Sequence, residues 1–276
     1  MTKLKNIKVV VSDLDGTLLN TNHRISDYTK SIFQELHNQN YLIVVATGRH
    51  HLDAMAIIEK LEVPVYLVSS NGARVHSPEK EELFAFNLDS DVVKAALNVE
   101  IDPEITVVLF KENVWQTNRI SDKLNAFQEE LKYRPELVDY KTLQDFGAIK
   151  IFFSCDNHEK LVKLKDDILA NSSEHLHHAF SLPTCLEFMD KSIDKAVAIE
   201  QVLEKEGFTL AEAVSFGDGF NDVQMLSVSG KGLIMGNAPA LLKETLPDLE
   251  VIKTNAEDGV ARFIASRILD KEFAAG

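Results

Sequence analysis

Aspartates at positions 13 and 15 close a run of valines, Val9-Val10-Val11, and a glycine and a threonine follow at once. Two carboxylates about 4 Å apart repel by roughly 4 kcal/mol at an effective dielectric near 20, so the pair calls for a cation, a shared proton or a task. A turn is the plain alternative, since Asp, Gly and Thr are ordinary loop formers. Other polar clusters stand just past apolar runs: Thr47-Gly48-Arg49, Ser69-Ser70-Asn71-Gly72, and Asp218 with Asp222 in "GDGFND". Carboxylates grouped without cysteine or histidine form a hard oxygen site suited to Mg²⁺. The chemistry open to such a set is phosphoryl transfer. Asp13 would attack and form an acyl phosphate, and Asp15 would protonate the leaving oxygen and then deprotonate water. Thr47 and Lys195 would hold the phosphate oxygens. Each group also has an ordinary reading: Asp218-Gly219 a turn, Thr47 a helix cap, Lys195 a solvated helix charge.

The elements that must position these groups read as alternating strands and helices. Residues 9–12, 41–46 and 63–69 are apolar runs of the kind buried on both faces of a parallel sheet. Between them, Tyr28, Ile32, Phe33 and Leu36 share a helical face behind a Ser26 N-cap, and Leu52, Met55, Ile58 and Leu61 form a second stripe. From about residue 81 the texture changes to a strand, a short helix, a hairpin turning near 111–113, a helix over 121–132, then a strand, a helix and two further strand-like runs. The first texture returns with a helix from 193 closed by Gly207, then strand, loop and helix through "GDGFND". The expected fold class is α/β: a doubly wound parallel sheet interrupted by an inserted α+β domain, with the core at 1–80 and 190–276 and the insertion at 81–189. In such sheets ligands bind beyond the carboxyl ends of the strands, where strand order reverses.

With 29 Lys and Arg against 43 Asp and Glu, the 276-residue chain carries a net charge of −14. That charge repels nucleic acid and anionic membrane surfaces, so neither is expected as a partner. No apolar run reaches 18 residues, and the first segment is too soon interrupted by charge to read as a signal peptide. Cys155 and Cys185 stand far apart without metal-ligand spacing, which argues against zinc and for a reducing compartment, the cytoplasm by default.

Four segments in order, "DLDGT" at 13–17, "VVATG" at 44–48, Lys195 in "SIDKA" and "GDGFND" at 217–222, resemble the haloacid dehalogenase superfamily of phosphohydrolases. The insertion resembles the larger α/β cap of the Cof-type branch. The resemblance implies a Rossmann-like core whose cap closes over the site and chooses the substrate. It implies Asp13 as nucleophile and Asp15 as general acid/base, with Mg²⁺ held by Asp13, the backbone carbonyl of Asp15 and Asp218, and Asp222 in support. Thr47 and Lys195 would bind the phosphoryl group, and Gly16, Thr17, Gly48, Arg49, Asn71, Gly72, Asn221 and Asn237 would line the core side. Lys150, Glu187, His177 and His178 are the cap candidates, each with an ordinary structural alternative. The substrate class implied is a small phosphorylated metabolite, with pyridoxal 5′-phosphate and sugar phosphates leading, for a monomer or homodimer. Two other readings share the acidic pocket: a phosphomutase, and a receiver-like switch or idle phosphate sensor. The second acid beside the nucleophile disfavours a lasting phosphoaspartate.

Overall fold

The first strand, β1 (Val9–Ser12), is buried along its whole length, which is why it is an unbroken β-branched run. The computed structural model of the chain describes residues 4, 6–120, 135–172 and 174–270. The helix expected over 121–132 lies outside the described residues. The described chain divides into two compact units, Met1–Ala85 with Asp194–Gly276, and Phe86–Ile193.

In the first unit β1 is followed by α1 (Asp27–Asn38), β2 (Leu42–Ala46), α2 (His51–Ile58), β3 (Tyr66–Ser69), β4 (Arg74–His76) and β5 (Glu82–Ala85). Ser26 caps α1 by accepting from the Thr29 backbone N–H at 3.0 Å, and Ile32, Phe33 and Leu36 are its buried face. Of the stripe expected on α2, Ile58 and Leu61 are buried and Met55 packs partly buried against the core, while His51 and Ala54 are buried beside them.

The second unit holds α3 (Ser90–Leu97), β6 (Thr106–Phe110), β7 (Trp115–Thr117), β8 (Glu136–Leu137), β9 (Lys150–Ser154), α4 (His158–Ser172), β10 (Leu176–Leu182) and β11 (Cys185–Asp190). Its strands lie in the order β10-β11-β9-β6-β7-β8. All adjacent pairs are antiparallel except β7 with β8. Alternate residues such as Ile151, Phe153, Leu186 and Phe188 form a core with Leu161, Leu164 and Ile168 of α4.

The chain then returns to the first unit with α5 (Lys195–Glu206), β12 (Ala213–Gly217), α6 (Val223–Val228), β13 (Lys231–Ile234), α7 (Ala240–Thr245), β14 (Glu250–Val251) and α8 (Gly259–Arg267). The core sheet runs β14-β13-β12-β1-β2-β3-β4-β5. It is parallel from β14 to β3 and antiparallel at β4 and β5. Val10, Val45 and Val214 pack with Phe33 of α1 and Ile264 of α8, while the alternate valines point to the opposite face, where α5 lies on β2 and β3. This is a doubly wound α/β fold. Residues 82–85 depart from the expected division: Val75 pairs with Phe84, so β4 offers an edge on which this strand extends the core sheet.

Candidate active site

From β1 the chain crosses to β2 on one side, and from β12 it crosses to β13 on the other. The order reverses between these neighbours, and Asp13 and Asp218 stand one residue past their carboxyl ends. Here the sheet leaves a crevice, because successive connections diverge.

Lys195, at the first turn of α5, sits at the bottom of the site and is 1% exposed. Its Nζ donates to Oδ1 of Asp13 at 2.6 Å and to Oδ1 of Asp222 at 2.7 Å. The other oxygen of Asp222 accepts the backbone N–H groups of Asp218 and Gly219 at 3.0 and 2.9 Å. Asp222 thereby fixes the loop that carries Asp218. The buried Thr17 donates to Oδ1 of Asp218 at 3.0 Å, and Asn237 donates to the carbonyl of Gly16 at 2.8 Å. Gly16 has φ +74°, and a Cβ there would fall 2.2 Å from Oδ2 of Asp218. The loop after β1 can approach the loop after β12 only without that atom.

The loop after β2 is tied to the loop after β3. Thr47 is buried, and its hydroxyl accepts the Arg49 backbone N–H at 3.1 Å. Its carbonyl accepts from Asn71, and Ser70 donates to the Arg49 carbonyl. Asn71 adopts a left-handed conformation, φ 55°, and accepts from the Asn221 side chain at 3.0 Å. Gly48 lies against the Asn71 amide. Gly72, at φ +107°, passes so close to the start of α5 that a Cβ would lie 2.4 Å from the Asp194 carbonyl. The loop that aligns Asn71 and the helix that delivers Lys195 are thus packed backbone to backbone.

Asp15 faces away from Lys195 and toward Arg49. The guanidinium donates from Nε to Oδ2 and from Nη2 to Oδ1, both at 2.6 Å, a bidentate fork. His23, largely exposed, stands 3.8 Å from the same carboxylate. A single histidine in a loop carries no spacing signal, and neither it nor the fork was legible before the chain folded.

Burial pushes the Asp13 carboxyl well above the usual carboxylate range; Lys195 pulls against the rise, and Asp222 and Asp218 add to it. Burial likewise pushes Asp218 up to about 6, with Thr17 pulling down and Asp222 pushing further up. For Lys195 burial works against the charge, but Asp13 and Asp222 outweigh it and hold the ammonium above the ordinary lysine range. One ligand atom from each of Asp13, Asp218 and Asp222 lies within 4.8 Å of the others. Three carboxylates face one ammonium, an all-oxygen donor set suited to a hard divalent cation.

The remaining candidates fall in the second unit. Lys150 on β9 and Glu187 on β11 are both buried and pair with each other at 2.8 Å. The Lys150 ammonium also lies 4.7 Å from the centre of the Phe110 ring. His177 and His178 are on β10, opposite Met189 and Phe188.

The family model for haloacid dehalogenase-like hydrolases matches residues 10–264. The chain belongs to the haloacid dehalogenase-like hydrolases. A Buchnera aphidicola protein shares 35% identity with this hydrolase over 257 residues, covering 93% of this chain and 96% of its own. A Cronobacter sakazakii protein named HMP-PP phosphatase shares 33% over 252 residues, covering 91% and 92%. A haloacid dehalogenase-like hydrolase of Bacteroides thetaiotaomicron has the same fold, with a TM-score of 0.81 and 26% identity over 94% of this chain and 99% of its own. The hydrolase is a phosphatase. Among the described residues no helix is long and apolar enough to cross a membrane.

Proposed function

We propose that this phosphatase hydrolyses the phosphate of a small metabolite in two steps on Asp13, with Mg²⁺ as cofactor. The observation that carries the proposal is the buried Lys195 between Asp13 and Asp222, which aims one carboxylate at the crevice and anchors the loop bearing the other. Asp13 attacks phosphorus, forming an aspartyl phosphate while the ester oxygen leaves with its electron pair. Asp15, two residues on, gives that oxygen a proton and later takes one from the water that attacks the aspartyl phosphate. The products are the alcohol and phosphate, and Asp13 is regenerated.

Thr47 still has its hydroxyl proton to donate to a phosphoryl oxygen, and Lys195 holds the Asp13 carboxylate in place as the phosphoryl group is transferred to it. Asp13 and Asp218, with the carbonyl of Asp15, are the groups suited to hold Mg²⁺; Asp222 acts through the loop. Bound Mg²⁺ supplies positive charge that offsets the repulsion between these carboxylates and the phosphate. Asn71 and Asn221, paired across two loops, line the crevice beside Gly48. Lys150 and Glu187 are candidate substrate-binding residues of the second unit.

For the substrate, the relatives named HMP-PP phosphatase make HMP-PP the first compound to try, ahead of pyridoxal 5′-phosphate and sugar phosphates. The test is phosphate release from that panel with Mg²⁺ and with EDTA, on the wild type and Asp13→Asn. Release that needs the metal and disappears in the variant supports the mechanism. An isomerised sugar phosphate without free phosphate would point instead to a mutase, and no turnover at all would leave a phosphate-binding protein. The net charge of −14 keeps nucleic acid and anionic membrane surfaces out of this reading. A cytoplasmic location and a monomer or homodimer complete it.

A further inference from the structure

Two asparagines outside the acidic cluster grip the loop that follows β1. Asn237 stands in the loop after β13, and Asn255 in the loop after β14. The Asn237 amide nitrogen donates to the Gly16 carbonyl at 2.8 Å and, more weakly, to Oδ2 of Asp218 at 3.4 Å. Its amide oxygen accepts the Asn255 backbone N–H at 3.0 Å, and the Asn255 side chain donates to the Leu19 carbonyl at 2.8 Å. These partners settle which end of the Asn237 amide is which, because a carbonyl needs a donor and an N–H needs an acceptor. Asn237 is exposed, yet both ends of its amide are spent on other loops.

The gripped loop carries groups suited to hold a cation. Asp15 (φ −80°, ψ 128°) and Gly16 (φ 74°, ψ −5°) have the angles of a type II turn, and that turn sets the direction of the Asp15 carbonyl. Thr17, next in the chain, donates to Oδ1 of Asp218. Both oxygens of Asp218 and both ends of residues 16–19 are therefore held, by Thr17, Asn237 and Asn255 together. Mg²⁺ demands near-ideal octahedral geometry at about 2.0–2.1 Å, whereas Ca²⁺ accepts oxygens at about 2.3–2.6 Å with little angular demand. Oxygens fixed in place can favour the smaller ion, and oxygens free to shift suit the larger.

We propose that Asn237 and Asn255 are positioning residues that raise the preference of the site for Mg²⁺ over Ca²⁺. This rests on the Mg²⁺ reading above. Asn237 acts on the site through Gly16 and Asp218, and Asn255 acts through Asn237 and Leu19. With the brace cut, the turn at Asp15-Gly16 and the Asp218 carboxylate no longer move as one piece. The ion that needs exact positions loses most by that.

The experiment uses the full chain without substrate. Bound Mn²⁺ is read from the loss of the free-ion signal in electron paramagnetic resonance, and Mg²⁺ and Ca²⁺ are titrated against it in wild type, Asn237→Ala and Asn255→Ala. In Asn237→Ala the Mg²⁺ affinity should fall about tenfold or more, the scale on which partners of metal ligands act, with Ca²⁺ affinity changing by less than about threefold. An equal loss for both ions would make the brace a merely structural feature and overturn the proposal, as would an unchanged affinity for both. Should Asn237→Ala fail to fold, Asn255→Ala decides, since it removes one side-chain hydrogen bond from a half-buried turn. Its ratio of Mg²⁺ to Ca²⁺ affinity should fall at least about threefold, and an unchanged ratio overturns the proposal. Mn²⁺ that fails to bind the wild type, or binds Asp218→Asn equally well, would instead overturn the Mg²⁺ reading, and this inference with it.

Discussion

Oδ1 of Asp13 and Oδ1 of Asp222 share the ammonium of Lys195, at 2.6 and 2.7 Å, though they lie at the ends of neighbouring strands more than two hundred residues apart. Removing the shared cation leaves two buried carboxylates facing each other. Lys195→Met should therefore destabilise the protein in EDTA by about 3–5 kcal/mol, the usual cost of breaking a buried ion pair from one side. Adding Asp222→Asn should recover part of that loss. Urea unfolding of the two variants checks it, and a double variant no more stable than the single one would show that the charges are not what the lysine balances.

The missing side chain at Gly16 keeps two loops together. Gly16→Ala must place a methyl 2.2 Å from Oδ2 of Asp218 at a backbone angle that disfavours alanine. The expected outcome is a fall of at least about tenfold in apparent Mg²⁺ affinity with a stability loss of only about 1–2 kcal/mol. Magnesium titration of phosphate release, read beside a thermal melt, separates the two effects.

Asp218 supplies a pH dependence whose sign can be worked out. Its carboxyl is raised to about 6 in the folded protein by burial, against about 4 unfolded. Between those values the folded state holds the proton more tightly, so the contribution to stability is fully present below about pH 4 and is lost as pH rises through about 6. After allowance for partial solvent screening the change is about 2 kcal/mol. Melts of the metal-free protein between pH 4 and 7 should show it, and Asp218→Asn should flatten that part of the profile. Magnesium competes with the same proton, so its affinity should climb over the same interval.

In the second unit the Lys150–Glu187 pair is buried on both sides. Lys150→Met alone should cost about 3 kcal/mol by leaving Glu187 without its cation, and Lys150→Met with Glu187→Gln should cost less than the sum of the single changes. A double-variant cycle of urea midpoints measures the coupling. Additive losses would mean that the two side chains act on something other than each other.

What the sequence made legible is local. Unbroken runs such as Val9–Val11 and 42–46 have only one stable environment, between two layers of helices, and the caps at Ser26 and Gly207 lie beside the residues they serve. The acids of "DLDGT" and "GDGFND" could be assigned to strand ends for the same reason, and the family model and the fold comparisons agree with that architecture. What escaped depends on which distant segments meet. The Arg49 fork on Asp15 spans 34 residues, and the Lys150–Glu187 pair spans 37. Neither has a period or a spacing to betray it. Asp222 is a different case: its place four residues after Asp218 is visible, but that it spends its oxygens on Lys195 and on backbone N–H groups follows from the loop's conformation alone. The β5 extension of the core sheet was hidden because a short strand of mixed polarity fits an edge in either unit equally well.

The pairing of β1 with β12 has a kinetic consequence. Residues 9–12 acquire one neighbour, β2, within about thirty residues of chain, but the other only when residues 213–216 are in place. During synthesis, at about 5–20 residues per second, the strand that carries Asp13 therefore spends on the order of ten seconds or more with an apolar edge unpaired. Such non-local closure slows folding and leaves a template for misassembly. The nascent polypeptide is most vulnerable to aggregation in that interval, and shortening it from the carboxyl end by truncation before β12 would leave the edge open for good.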